Sequence, residues 1–156
     1  MRRGALWLVF FIPGIASAGE LPEGAFAQLG GSAFRHPDRP SALAYRPDGK
    51  HLASGGADGC VRIWDTATGA EVTVLKVKDG HANALVYTPD GKYFVADFSV
   101  GGIIWIYDVA KDYKPLRSVT LQNLTSLTVT ADAKYLAAAE VGGELHLIET
   151  ATGLAP

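Results

Sequence analysis

Apolar residues along this chain come in short runs separated by clusters of glycine, proline and aspartate, the punctuation of strands rather than of helices. The one long apolar run lies near the N-terminus, at residues 5–12, and nothing amphipathic follows it. Beyond that run the pattern repeats. YRPDGKHLA begins at Tyr45, YTPDGKYFV at Tyr87 and VTADAKYLA at Val129, a spacing of 42 residues and then 42 again. Later in each block VRIWD, WIYD and LHLIE close on Asp65, Asp108 and Glu149. A fixed period of this length marks a repeat architecture in which each block is one supersecondary unit.

The local grammar of a block is all-β. Pro47-Asp48-Gly49 and Pro89-Asp90-Gly91 predict hairpin turns, with proline fixing φ at the second turn position and glycine free to take positive φ. Strands are predicted before these turns at 42–46 and 84–88, and after them at 51–55 and 93–97. A second glycine turn follows in each block, at 57–59, 101–102 and 142–143. Strands rich in β-branched and aromatic residues come next, at 60–64, 103–107 and 144–148. In the first block DTATG then turns the chain at Gly69 into a fourth strand, 71–76. Four short antiparallel strands per 42 residues is the dimension of one propeller blade.

The N-terminal run changes the picture of location. Arg2 and Arg3 precede it, Pro13-Gly14 breaks it, and Ala16-Ser17-Ala18 has the small-x-small form of a cleavage site. Residues 1–18 therefore read as a secretory signal peptide and 19–25 as a linker. The run is well short of the roughly 20 residues that span a bilayer, so a retained membrane anchor is the alternative reading and a buried core helix the weaker one. The chain is expected to be exported, periplasmic or extracellular, with no membrane contact after signal removal. Arg2-Arg3 lacks the fuller pattern of the twin-arginine route.

The 156 residues are 48% apolar, enough for one modest domain and too balanced for disorder. Without Arg2 and Arg3 the basic count falls from 14 to 12 against 16 acidic residues, a charge of −4. That argues against nucleic acid, which needs a clustered basic footprint. The single cysteine, Cys60, forms no intrachain disulfide; it reads as a small strand residue, with a reactive thiol or intermolecular bridge as the alternative. The four histidines, His36, His51, His81 and His146, show no paired metal spacing, and Met1 is the only methionine. No cofactor and no metal is expected.

Trp64-Asp65 at a strand end, the Pro-Asp-Gly turns, LASGGADG at 52–59 and Gly80-His81 placed 27 residues before Asp108 together resemble the WD-repeat (WD-40) β-propeller family. The resemblance covers about residues 26–153 and implies three repeats, at about 26–69, 70–112 and 113–153, within a WD-repeat region of 26–156. It also implies a bacterial exported member or a part of one. Propellers close with four to eight blades, so three repeats form a partial, open propeller with a blade flank exposed at each end. Truncation, a homo-oligomer, or further blades from a second chain would each account for this.

The resemblance further implies that His36, Ser54, Asp58 and Trp64 form a hydrogen-bonded structural network within the first blade. A buried indole N–H needs an acceptor, which the serine hydroxyl supplies, and the serine and the carboxylate then serve the two histidine nitrogens. Read as a hydrolase triad, the same residues lack a nucleophile elbow and an oxyanion loop. The later blocks depart: Ala96 and Tyr107 stand in the second, Thr120 and Ile148 in the third. Packing is expected to hold those blades. For function the resemblance implies a non-catalytic protein–protein interaction or scaffold module binding a protein or peptide partner. The alternatives are a quinoprotein- or haem-type propeller enzyme and a non-functional remnant of a larger scaffold. The lengthened loop Asp97, Phe98, Ser99 through Gly102, with Phe98 read as exposed, is the candidate binding loop; a lengthened hairpin is its plainer reading.

Overall fold

The computed structural model describes residues 34–76, 80–98, 102–121 and 123–150. The signal and linker segments, the opening residues of the repeat expected from about 26, and Ser99 lie outside them. Strands β1 (Pro40–Tyr45), β2 (His51–Gly56), β3 (Cys60–Asp65) and β4 (Glu71–Lys76) form the first sheet. Strands β5 (Ala82–Tyr87), β6 (Tyr93–Phe98), β7 (Ile103–Asp108) and β8 (Lys114–Thr120) form the second, and β9 (Leu124–Val129), β10 (Tyr135–Glu140) and β11 (Leu145–Glu149) the third. Every pairing is antiparallel between sequence neighbours. The architecture is that of all-β propeller blades, with four strands in two sheets and three in the last among the described residues. Predicted strands are present within a residue or two at each end; the repeat 70–112 straddles two sheets, because β4 closes the first while β5 opens the second.

Turn chemistry sets the hairpins. The carboxylate oxygens Oδ1 of Asp48, Asp90 and Asp132 accept the amides of Lys50, Lys92 and Lys134 at 3.0, 3.1 and 3.1 Å, the side-chain turn that aspartate favours. Gly49 and Gly91 both take φ +69°. In the third block Ala133 is forced to the same region at φ 60°, where an L residue is strained. The closing acid of the repeat has a structural task too. Asp65 Oδ1 accepts the amides of Ala67 and Thr68 at 3.1 and 2.8 Å and the Thr68 hydroxyl at 2.8 Å, so DTATG is a capped turn. In the second sheet Asp108 caps a 3-10 turn, Val109–Lys111, by accepting the Ala110 amide at 3.1 Å.

Alternation along the strands gives each sheet two apolar faces, and the sheets stack through them. Ala53, Val61 and Ile63 of the first sheet pack against Tyr87, Phe94, Ala96, Phe98 and Tyr107 of the second. The opposite face of the second sheet, Val95, Ile104 and Ile106, packs on Leu136 and Ala138 of the third. The first strands β1, β5 and β9 lie next to one another along the inner edge of the arc. Packing carries most of these seams, with polar additions: the Tyr87 and Tyr113 hydroxyls pair at 2.8 Å inside the first, Ser41 Oγ donates across it to the Ala82 carbonyl, and Arg117 Nη2 donates to the Glu149 carbonyl across the second. Outside the seams, Leu43 and Tyr45 of the first sheet and Leu145 and Leu147 of the third are exposed. These are the positions whose equivalents elsewhere in the chain bury a neighbouring sheet.

Candidate functional site

The residues of the expected network share one corner of the first sheet, but they do not all bond. Register places Leu52 opposite Trp64 and Ser54 opposite Arg62, on the flank covered by Phe34 and His36. The Trp64 indole Nε1–H donates to Ser54 Oγ at 2.8 Å, and Phe34 stacks on the indole at 5.9 Å between ring centres. His36 Nδ1 stands 3.7 Å from Asp58 Oδ1, and neither ring nitrogen of His36 has a hydrogen-bond partner among the described residues. Asp58 is engaged elsewhere, accepting the Cys60 amide at 3.1 Å and Arg62 Nη2 at 3.2 Å. Burial opposes its ionisation, yet the Cys60 amide and Arg62 outweigh that and hold its carboxyl below the usual range. The His36 ring instead fills the space over Gly56, where any Cβ would collide with it. Nothing here resembles an activated nucleophile: Ser54 is committed to an indole.

A buried carboxylate that packing does not absorb lies one seam further along. Position 55 of the first sheet, 97 of the second and 139 of the third are equivalent, being Gly55, Asp97 and Ala139. At the first seam only glycine fits, because a Cβ at Gly55 would lie 2.6 Å from Ala82 Cβ and 3.0 Å from the Ala82 carbonyl oxygen. Ser41 Oγ closes that seam by donating to the Ala82 carbonyl at 2.6 Å. At the second seam the equivalents of Ser41, Gly55 and Ala82 are Asn83, Asp97 and Leu124, and the seam stands open. A cleft of about 260 Å³ is lined by Asn83, Asp97, Gly102, Asn123, Leu124 and Val141. Asn123 holds φ 53° at its wall, and its carbonyl accepts the Val141 amide at 3.0 Å, extending the β9–β10 pairing of the third sheet.

Asp97 is 2% exposed, and its Oδ1 has no hydrogen-bond partner among the described residues. Alternation on β6 aims it, like Val95, toward the third sheet, at the polar end of an otherwise apolar face. Burial alone raises its carboxyl from 3.8 to about 6. Phe98, its neighbour, corrects the sequence reading: it is fully buried, packed toward the first sheet with Phe94 and Ala96. The period of two on β6 sends Phe98 inward, so of the three candidate loop residues Asp97 lines the cleft, Phe98 is core, and Ser99 lies outside the described residues. Asn83 and Asn123 were missed, since they become neighbours of Asp97 only when sheets stack; the signal available was the break of Gly55 to Asp97 between equivalent positions.

Two other polar features stand out among the described residues. The β10–β11 hairpin brings Glu140, Glu144 and His146 within 4.8 Å of one another, a proximity that sequence spacing alone did not suggest. His146 Nε2 is 3.7 Å from both carboxylates, an ion-pair arrangement. Cys60 is buried and free, and burial raises its thiol pKa, with the Asp58 charge adding to the effect; thiolate chemistry is disfavoured there. No helix among the described residues is long and apolar enough to cross a membrane.

Comparison with known proteins places this architecture. Residues 32–65 match the family described as WD domain, G-beta repeat. Over 123 residues the chain is 29% identical to the periodic tryptophan protein 2 homolog of Dictyostelium discoideum, covering 76% of this chain and 13% of that protein. It is 38% identical over 61 residues to an uncharacterized WD repeat-containing protein of Synechocystis, covering 38% of this chain and 18% of the relative. With the small ribosomal subunit protein RACK1 of Schizosaccharomyces pombe it shares 34% identity over 83 residues, 53% of this chain and 26% of the relative. The chain thus spans about a quarter or less of the length of these curated relatives.

Proposed function

Since the chain belongs to the WD-repeat family, we propose that it is a non-catalytic interaction module that binds a protein or peptide partner at the Asp97 end of its blades. The observation that carries this reading is the open seam. A repeat that closes its first seam with Gly55 and Ser41 opens the second with Asp97 and Asn83, and packing gains nothing from that exchange. One relative bears the name of a ribosomal subunit protein, a member of an assembly, which supports a scaffold role. Partners are proteins rather than nucleic acids, in keeping with the net charge.

Export belongs to the same proposal, supported by the sequence of residues 1–20. N-terminal sequencing of the protein recovered from cells is expected to begin at residue 19; retention of Met1 would refute export by cleavage. For partner binding, the tagged full chain is expected to retain a protein from the envelope fraction that tagged lysozyme does not. Absence of any specific partner would sink the module reading. We extend the proposal to assembly. The outer flank of the first sheet, with Leu43 and Tyr45, and that of the third, with Leu145 and Leu147, are equivalent to the two halves of an internal seam, and a second copy of the chain covers them head to tail. Light scattering on the full chain is then expected to give more than one copy per particle, and Leu145→Lys with Leu147→Lys to reduce it to one.

A further inference from the structure

Resting on that reading, we propose that the cleft between the second and third sheets is a pocket for a single arginine side chain of the partner. Three observations converge. Among the described residues the cleft holds one carboxylate, Asp97, which is 2% exposed and has an oxygen with no hydrogen-bond partner among them. A buried, uncompensated carboxylate is costly to keep, and a bound cation removes that cost. Around it stand Asn83 and Asn123, whose amide oxygens accept hydrogen bonds from the N–H groups that a carboxylate leaves unused on a guanidinium. Leu124 and Val141 supply apolar wall for the aliphatic stem.

Size and charge narrow the ligand further. At about 260 Å³ the cleft is smaller than the roughly 300–1,000 Å³ of small-molecule sites, which suits one side chain rather than a cofactor. No basic residue lines it among the described residues, and Glu140 precedes Val141 in the wall, so an anion is disfavoured. Arginine fits better than lysine because its planar fork of five donors can engage one carboxylate and two amide oxygens together, whereas an ammonium has three donors and sheds water reluctantly. The equivalent first seam has no such room: Ala82 and the Ser41 bond occupy it. The pocket is therefore a property of this one seam and not of the repeat.

The test uses the full chain and two small probes, N-acetyl-arginine methylamide and its neutral isostere N-acetyl-citrulline methylamide, followed through the side-chain amide resonances of Asn83 and Asn123. The arginine probe is expected to shift both resonances saturably. The citrulline probe, and the arginine probe on an Asp97→Asn chain that keeps its spectral dispersion, are expected to bind at least about tenfold more weakly, the loss of one charge-assisted contact. Equal shifts from both probes, undiminished binding to the Asp97→Asn chain, or no saturable shift from arginine would each overturn the pocket. A lysine probe binding as tightly as arginine would overturn the choice of guanidinium. Partner capture separates this from the module reading: a partner retained equally by wild-type and Asp97→Asn chains overturns the arginine pocket and leaves the module standing, whereas no retained partner brings down both.

Discussion

Replacing Asp97 by asparagine preserves side-chain size and removes charge, which isolates the electrostatic cost built into the open seam. Burial lifts the Asp97 carboxyl from 3.8 to about 6, and at about 1.4 kcal/mol per unit of pKa that displacement corresponds to about 3 kcal/mol. The side chain borders an open cleft, so solvent screening lowers the expected cost to about 1–2 kcal/mol. The sign follows from proton binding. The folded chain holds the Asp97 proton more tightly than the unfolded chain does, so ionised Asp97 opposes folding. That penalty is fully present above a pH of about 6, shrinks as pH falls through that value, and is gone below 3.8. Urea denaturation of both chains tests it: at about pH 7.5 the Asp97→Asn chain is expected to be more stable by about 1–2 kcal/mol, and near pH 4 the two curves converge. A destabilised variant at neutral pH, or a gain of equal size at both pH values, would refute the claim that this carboxylate is buried without a partner.

Other positions give sharper packing tests. Gly55→Ala sets a methyl 2.6 Å from Ala82 Cβ and 3.0 Å from its carbonyl oxygen, so the first seam must part; a loss of about 1–3 kcal/mol in urea denaturation is expected, and an unchanged midpoint would show that the seam is looser than it looks. Ser54→Ala strands the buried Trp64 indole N–H and is expected to cost about 1–3 kcal/mol by thermal denaturation. Adding Trp64→Phe should then cost less than it does in the wild-type background; additive losses would mean that the bond contributes nothing. Ala133→Gly relieves an L residue at φ 60° and is expected to raise stability by up to about 1 kcal/mol, whereas Gly49→Ala, at φ +69° with open space around it, is expected to lower it by a similar amount, and like signs for the two would refute the backbone argument.

How much of this was legible in the sequence depends on whether a residue's task is local. The Pro-Asp-Gly turns, the strands flanking them and the acid that closes each block act within a few residues of themselves, so the 42-residue period carried them with errors only at strand ends. Trp64 and Ser54 are ten residues apart on paired strands, and their bond too was within reach of register reasoning. Phe98 was misread for the opposite reason: a lengthened loop beside it suggested exposure, while the two-residue alternation of β6, already visible in YFVADF, sends it into the core. His36 shows a different limit. Its ring is where the repeat grammar put it, but whether it bonds Asp58 is decided by competition, and the Cys60 amide and Arg62 hold that carboxylate at shorter range.

The cleft itself depends on relations between sheets, which no window of sequence contains. Asn83, Asp97 and Asn123 are spread over 41 residues and meet only because the second and third sheets stack. Yet the repeat supplies its own internal control. When one architecture is used several times in a chain, equivalent positions face the same packing problem, and the solution that packing prefers is already on display at Gly55, where the backbone meets Ala82 with no room for a Cβ. A departure from it is informative in proportion to what it costs. Replacing glycine by a buried carboxylate gives up contact area and adds a desolvation penalty, so the exchange has no explanation in the stability of the isolated fold. It is intelligible if the missing contacts are made by something that enters the seam, and the chemistry that would restore both the contacts and the charge balance is cationic and planar. The same comparison of equivalent positions leaves the first seam, closed by Gly55, Ser41 and Ala82, as the place where that ligand should have no effect.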